Sequence, residues 1–261
     1  MAQGKSLEIV NVDAGQPGQM DLLRQAYDQI FVPAFKEEER ETLEKLTEVL
    51  EGRCPGSRAV INVLGTDLQS PHACVVKGLA VAFYYEKSNT GLLAYNAIDP
   101  VHREKGLGKL MVNSRIESLQ KMARDNGKTL SGVFVEIQDP YKVPPGEALF
   151  DPVKRQKIFE HWGARVIPVD YVSPPINDSD YYEDDLLLLS YPVNGRHPGP
   201  KETEAYLRDL YHDGRNGAVA ENDYHFVNMQ KQLAGWTPPP VNDNNKKPGY
   251  AKSLPPCKLV L

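Results

Sequence analysis

Apolar positions recur along this chain with two periods, and each change of period marks an element. Residues 7–12 (LEIVNV) read as a first strand. Residues 20–35 carry Leu22, Leu23, Ala26, Ile30 and Phe31 at helical spacing, with Pro33 bending or ending the helix. Residues 36–51 are predicted as a second helix, with Leu43, Leu46 and Leu50 as its buried stripe and a charged, solvated face. Arg53-Cys54-Pro55-Gly56 turns the chain, and residues 58–64, 73–86 and 92–98 then read as a meander of antiparallel strands. Further on come a short strand at 132–137 (GVFVEI), a helix at 151–162, a strand at 163–169 and a final apolar strand at 186–191 (LLLLSY).

One stretch organises the rest. In residues 92–126 a strand stops at Asp99-Pro100, a basic glycine turn follows (Arg103-Glu104-Lys105-Gly106-Leu107-Gly108-Lys109), and a long helix begins. Val112, Ile116, Leu119 and Ala123 share one face of that helix, and Asn126-Gly127 is its stop. A glycine turn at a helix start leaves backbone N–H groups that no helical carbonyl can satisfy. Those groups and the helix dipole favour an anion, most naturally a phosphate, and Arg103, Lys105 and Lys109 add positive charge there. No Gly-Lys-Ser/Thr follows at the spacing of a nucleotide-binding phosphate loop.

This segment resembles the acyl-CoA-binding signature of the GNAT N-acetyltransferase superfamily, whose turn reads Arg/Gln-x-x-Gly-x-Gly/Ala; Arg103, Gly106 and Gly108 occupy the three places. The order of elements over residues 7–193 resembles that family too. The resemblance implies an α/β (α+β) fold with a mixed, mainly antiparallel sheet flanked by helices. Two of its strands, here 92–98 and 132–137, would splay apart to admit acetyl-CoA. It implies that Ala97 and Ile98 face the pantetheine arm and that residues 103–109 hold the pyrophosphate. On this reading residues 1–193 form the acetyltransferase domain. Residues 194–261 are an extension with two short helices, at 203–211 and 222–233, and a tail rich in proline, asparagine and lysine. That extension would lie on the domain, serve a homodimer contact, or be partly disordered.

Composition narrows the class. The 261 residues carry a formal net charge of −5, with 41% hydrophobic and 25% charged residues, as in an ordinary soluble globular protein. That balance argues against a nucleic-acid binder. No apolar run reaches membrane-spanning length, and the first ten residues lack the apolar core of a signal peptide, so a cytoplasmic location is expected. Cys54, Cys74 and Cys257 are too few and too scattered for a disulfide framework or a zinc site, and no metal is expected.

Acyl transfer to an amine needs a base for the amine, a donor for the oxyanion and a proton for the leaving thiolate. The resemblance gives the donor role to the backbone N–H of Ile98. For the base, Glu136 interrupts an apolar strand beside the expected gap, where burial raises a carboxyl pKa; the other reading is a solvated strand residue or one that holds a neighbouring arginine. Asp139, just past the strand, is the second carboxylate, or a turn residue before Pro140. The family's tyrosine acid maps to Phe159, which cannot donate a proton. Tyr141, Tyr171, His161 or solvent would have to replace it. The loop before the last strand offers Asp178, Asp180, Glu183, Asp184 and Asp185 to a cationic amine and Tyr171, Tyr181 and Tyr182 to pack against it, or is simply a solvated acidic loop. The 139–151 loop, with Pro144-Pro145, is expected to border the site. The sequence therefore predicts an acetyl-CoA-dependent N-acetyltransferase with a small-molecule amine as acceptor. The alternative is a silent CoA-binding module that senses or recruits.

Overall fold

Alternation of apolar side chains builds the centre of a seven-stranded sheet with order β1-β2-β3-β4-β5-β7-β6. The computed structural model describes residues 6–70, 72–143, 150–175, 181–214 and 219–238. β1 (Leu7–Asn11), β2 (Ser57–Thr66), β3 (Val75–Tyr85) and β4 (Thr90–Ile98) form an antiparallel meander. In β2, Ile61 and Val63 bury on one face and Val60 and Leu64 on the other, the period-2 signature of a sheet covered on both sides. β5 (Gly132–Gln138) pairs antiparallel with β7 (Leu186–Tyr191), which also takes β6 (Arg165–Val166). Among the described strands the one parallel contact is short. β4 and β5 pair only through Thr90, Gly91 and Leu92 against Gly132, Val133 and Phe134, and then run on unpaired to Ile98 and Gln138. This is the expected splay.

Helices cover both faces. α1 (Gln19–Ala26) and α3 (Leu43–Leu50) set Leu22, Leu23, Leu46 and Val49 on the Ile61–Val81 face. α4 (Leu107–Asp125) sets Val112, Leu119 and Ala123 on the opposite face, where α5 (Pro152–His161) adds Phe159. α6 (Pro200–Gly214) and α7 (Tyr224–Leu233) share a core with the sheet, Tyr206, Leu207, Tyr211, Phe226 and Met229 burying against Leu92, Phe134 and Leu188. The side chain of Phe83 packs against both this core and that of α1 and α3, so the four helices lie side by side on one face.

Three boundaries differ from expectation. The helix read over 20–35 is α1, then a π-helical turn Tyr27–Phe31, then a single turn α2 (Val32–Ala34); Pro33 has no N–H to donate back, and the ladder widens ahead of it. The helix read over 36–51 shrinks to a 3-10 turn, Glu37–Glu39, and α3, which starts where Thr42 Oγ1 accepts the Lys45 N–H at 3.1 Å. The strand read over 163–169 is only Arg165–Val166, because Pro168 cannot continue a ladder.

The α6 contact carries stability. Tyr206 is fully buried, and its ring stacks on Phe134 with centroids 4.1 Å apart. Tyr206→Ala is expected to cost about 3–5 kcal/mol, the usual loss for a buried aromatic truncated in a core, read as a lowered midpoint in chemical denaturation. A change below about 1 kcal/mol would mean that α6 rests on the sheet without supporting it.

Candidate active site

The turn between β4 and α4 leaves the first helix amides open. Asp99 Oδ1 accepts the Val101 N–H at 3.0 Å and sets the chain leaving β4. Gly106 adopts φ 74° and caps α4 with no side chain, leaving the first amides of the helix without intrahelical acceptors. A Cβ at Gly108 would stand 3.0 Å from the Trp162 ring, so glycine there lets backbone and indole approach closely. Arg103 turns inward, its Nε donating to the Ile98 carbonyl at 3.1 Å.

Behind this turn a groove of about 700 Å³ follows the splay. Ala97, Ile98, Arg103, Glu104, Gly106, Leu107 and Gly108 line it, with Asn96, Arg115, Lys154, Arg155, Phe159 and Trp162. Lys105 and Lys109 are exposed and are not among the lining residues. Lys154 and Arg155, from the first turn of α5, were not foreseen. Arg155 stacks on Phe150, its guanidinium carbon 5.6 Å from the ring centroid.

A second cavity, of about 410 Å³, lies on the opposite side of the splay, between α3 and α6. Among the described residues, five carboxylates line it (Glu39, Glu41, Glu136, Glu183, Asp213) against three cations (Lys36, Lys45, Arg155). Groove and cavity share Ala34, Phe35, Ala94, Glu136, Ile137 and Arg155. Glu136 therefore stands at their junction.

Its surroundings fit proton transfer. Tyr171 donates a short hydrogen bond to Glu136 Oε1, and Ser173 Oγ donates to the same atom at 3.3 Å. Burial pushes the Glu136 carboxyl above the ordinary range, while the two hydroxyls pull it back. Tyr171, 1% exposed, is itself pushed well up and stays protonated. Burial, then the charges of Glu136, Asp185 and Glu39, push Glu183 up to about 7.

This predicts a pH signature. Between pH 4.5 and about 7 the folded chain keeps a Glu183 proton that the unfolded chain has released, so the stability tied to this group falls as pH rises. Glu183→Gln removes that slope. The melting temperature of the variant is expected to gain steadily on the wild type as pH rises across this window; a difference that does not change with pH would contradict the assignment.

The other expected site residues lie elsewhere. Asp139 is 8% exposed, and its Oδ1 accepts the Tyr141 N–H at 2.9 Å, so it holds the turn after β5. Tyr141 is 82% exposed. Neither lines the groove or the cavity. His161 is exposed at the end of α5 and lines neither. Tyr182 donates to Asp223, and Tyr181 is exposed. Asp178, Asp180, Pro144 and Pro145 lie outside the described residues. No helix among the described residues is long and apolar enough to cross a membrane.

No family model matches the sequence, and no curated protein matches it. Solved structures do. A chain from Bacteroides thetaiotaomicron assigned to the GNAT acetyltransferases superposes with a TM-score of 0.52 at 16% identity, over 78% of this chain and 96% of that one. The ribosomal-protein-S18-alanine N-acetyltransferase of Escherichia coli gives 0.43 at 11% identity, over 72% and 94%. A Bacillus subtilis acetyltransferase gives 0.45 at 14% identity, over 72% and 99%. With its splayed β4 and β5, its glycine-capped α4 and the Bacteroides superposition, this chain has the fold of the GNAT-family acetyltransferases.

Proposed function

We propose that this chain is an acetyl-CoA-dependent N-acetyltransferase acting on a primary amine of a small cationic molecule, by direct attack with both substrates bound. One observation carries the reading: a groove headed by a glycine-capped helix start meets an acidic cavity at a buried carboxylate, Glu136. The groove fits the carrier's shape. Free helix amides at Leu107, Gly108 and Lys109 suit a pyrophosphate, and the unpaired edges of β4 and β5 suit an extended, amide-bearing arm. When bound, acetyl-CoA supplies the activated acyl group.

The chain's own residues do the rest. The excess of carboxylates in the cavity draws an ammonium in. Glu136, ionised, accepts the proton that makes the amine a nucleophile, and Tyr171 and Ser173 hold its carboxylate still. Holding both substrates across the Glu136 junction supplies the proximity. This reading gives no step to Asp139, whose side chain holds the turn after β5, or to Tyr141.

A thiol-release assay with acetyl-CoA against diamines, amino acids, aminoglycosides and lysine peptides tests this. Turnover with a small cationic amine supports it. A second reading, a CoA-binding module without catalysis, is favoured by Phe159 in the groove where a tyrosine acid is usual. Selective CoA binding without turnover on any amine would select that reading.

A further inference from the structure

Arg115 is the unexplained residue of the groove. It lies on the buried stripe of α4 and is 1% exposed, yet no carboxylate pairs with it among the described residues. Its Nε donates to the Met111 carbonyl at 3.2 Å, and its Nη1 donates to the Val81 and Tyr95 carbonyls at 3.0 and 2.7 Å. Those carbonyls flank a bulge. Val81 pairs with Tyr95 and Phe83 with Leu92, so Leu93 and Ala94 together oppose Ala82. Nη2 has no hydrogen bond among the described residues, and the side chain lines the groove.

A cation buried without a counter-charge is costly, and two carbonyls could be satisfied more cheaply by neutral donors. Desolvation lowers the guanidinium pKa to about 9, the field of Tyr191 from β7 opposing, so it remains charged at neutral pH. Among the described residues, the other charged groups lining the groove are Arg103 and Glu104 from the turn, Glu136 from β5, and Lys154 and Arg155 from α5. Arg115 differs from them in being almost fully buried where it lines the groove, so that its charge is least screened.

We propose that Arg115 is the electrostatic partner of the thiolate released in acetyl transfer, and that through the β4 bulge it also fixes the wall along which the thioester lies. The inference rests on the acetyl-transfer reading above. The ammonium first gives one proton to Glu136; the neutral amine nitrogen then bonds to the acyl carbon, the carbon–sulfur bond breaks with its electron pair going to sulfur, and the second nitrogen proton passes to water. Sulfur leaves as an anion facing Arg115 and takes a proton from water after release. No side-chain acid is needed at the place Phe159 occupies.

The test begins with the unaltered protein. Calorimetric affinities for CoA and for desulfo-CoA, which lacks the sulfur, are compared from pH 6 to 9. The CoA preference is expected to grow about tenfold as the bound thiol ionises below its free pKa. A preference that stays flat overturns the proposal. Failure of both ligands to bind removes the acetyl-CoA reading and this inference together, so the two failures are distinguishable. Ultraviolet titration of the bound thiolate then tests the residue. Arg115→Met is expected to raise the bound thiol pKa by about one unit, and Arg115→Lys to restore part of the shift. If the methionine variant binds CoA and leaves that pKa unchanged, Arg115 only braces the bulge and the proposal fails.

Discussion

Glu136→Gln is expected to lower kcat by roughly 10²–10⁴-fold, the usual contribution of a positioned general base, with little change in acetyl-CoA affinity. Glutamine keeps the shape of the side chain and can still accept the Tyr171 and Ser173 hydrogen bonds, so the loss isolates the base. The pH profile gives a second reading. Glu136 works ionised, so the wild-type rate rises with pH, and burial places that rise above the ordinary carboxylate range. Because both hydroxyls favour the charged form, Tyr171→Phe and Ser173→Ala should each move the limb further up. In Glu136→Gln the limb should vanish. A variant that retains wild-type kcat would remove Glu136 from the chemistry.

The second large effect belongs to the cradle. Gly106→Asp is expected to weaken CoA binding by at least about 100-fold. It sets a carboxylate where the helix start and dipole would meet a phosphate, and it asks an L-residue to hold φ 74°. Gly108→Val should act independently, because its Cβ would push the Trp162 ring, 3.0 Å away, into the groove wall. Both read out as a dissociation constant, with circular dichroism confirming that the chain stays folded. Binding within about threefold of wild type in both variants would mean that the anion site lies elsewhere.

Residues 92–126 could be read in advance because every signal there is local. Strand, Asp99-Pro100 stop, glycine cap and apolar stripe lie within one short segment, and the structure follows it to a helix ending at Asp125 before Asn126-Gly127. Where burial decides, local pattern misleads. Residues 36–41 are charged and have no apolar stripe, so they form a turn and an extended lead into α3, although their composition suits a helix. Arg115 stands outside the apolar stripe read from the sequence, yet the β4 bulge gives its donors carbonyls that no sequence pattern announces.

The site was half legible for the same reason. Glu136 stood out as a charge in an apolar strand, but the hydroxyls that hold it arrive from 35 and 37 residues away. Asp139 and Tyr141 stand close to Glu136 in sequence, but the Asp139 side chain bonds its own turn and Tyr141 is exposed. The wall formed by Leu210 and Asp213 comes from α6, beyond the stretch that resembled the family. Its signal was present in the stripe of Tyr206, Leu207, Leu210 and Tyr211, a buried face too apolar for a free arm.

Calorimetric titration of the full chain with acetyl-CoA, CoA and ADP tests the central claim most directly. Binding of acetyl-CoA and CoA, both tighter than ADP by the contribution of the arm lying between β4 and β5, is the expected result. A folded chain that binds none of the three, or that binds ADP as well as CoA, would contradict the assignment of the groove to an acyl carrier.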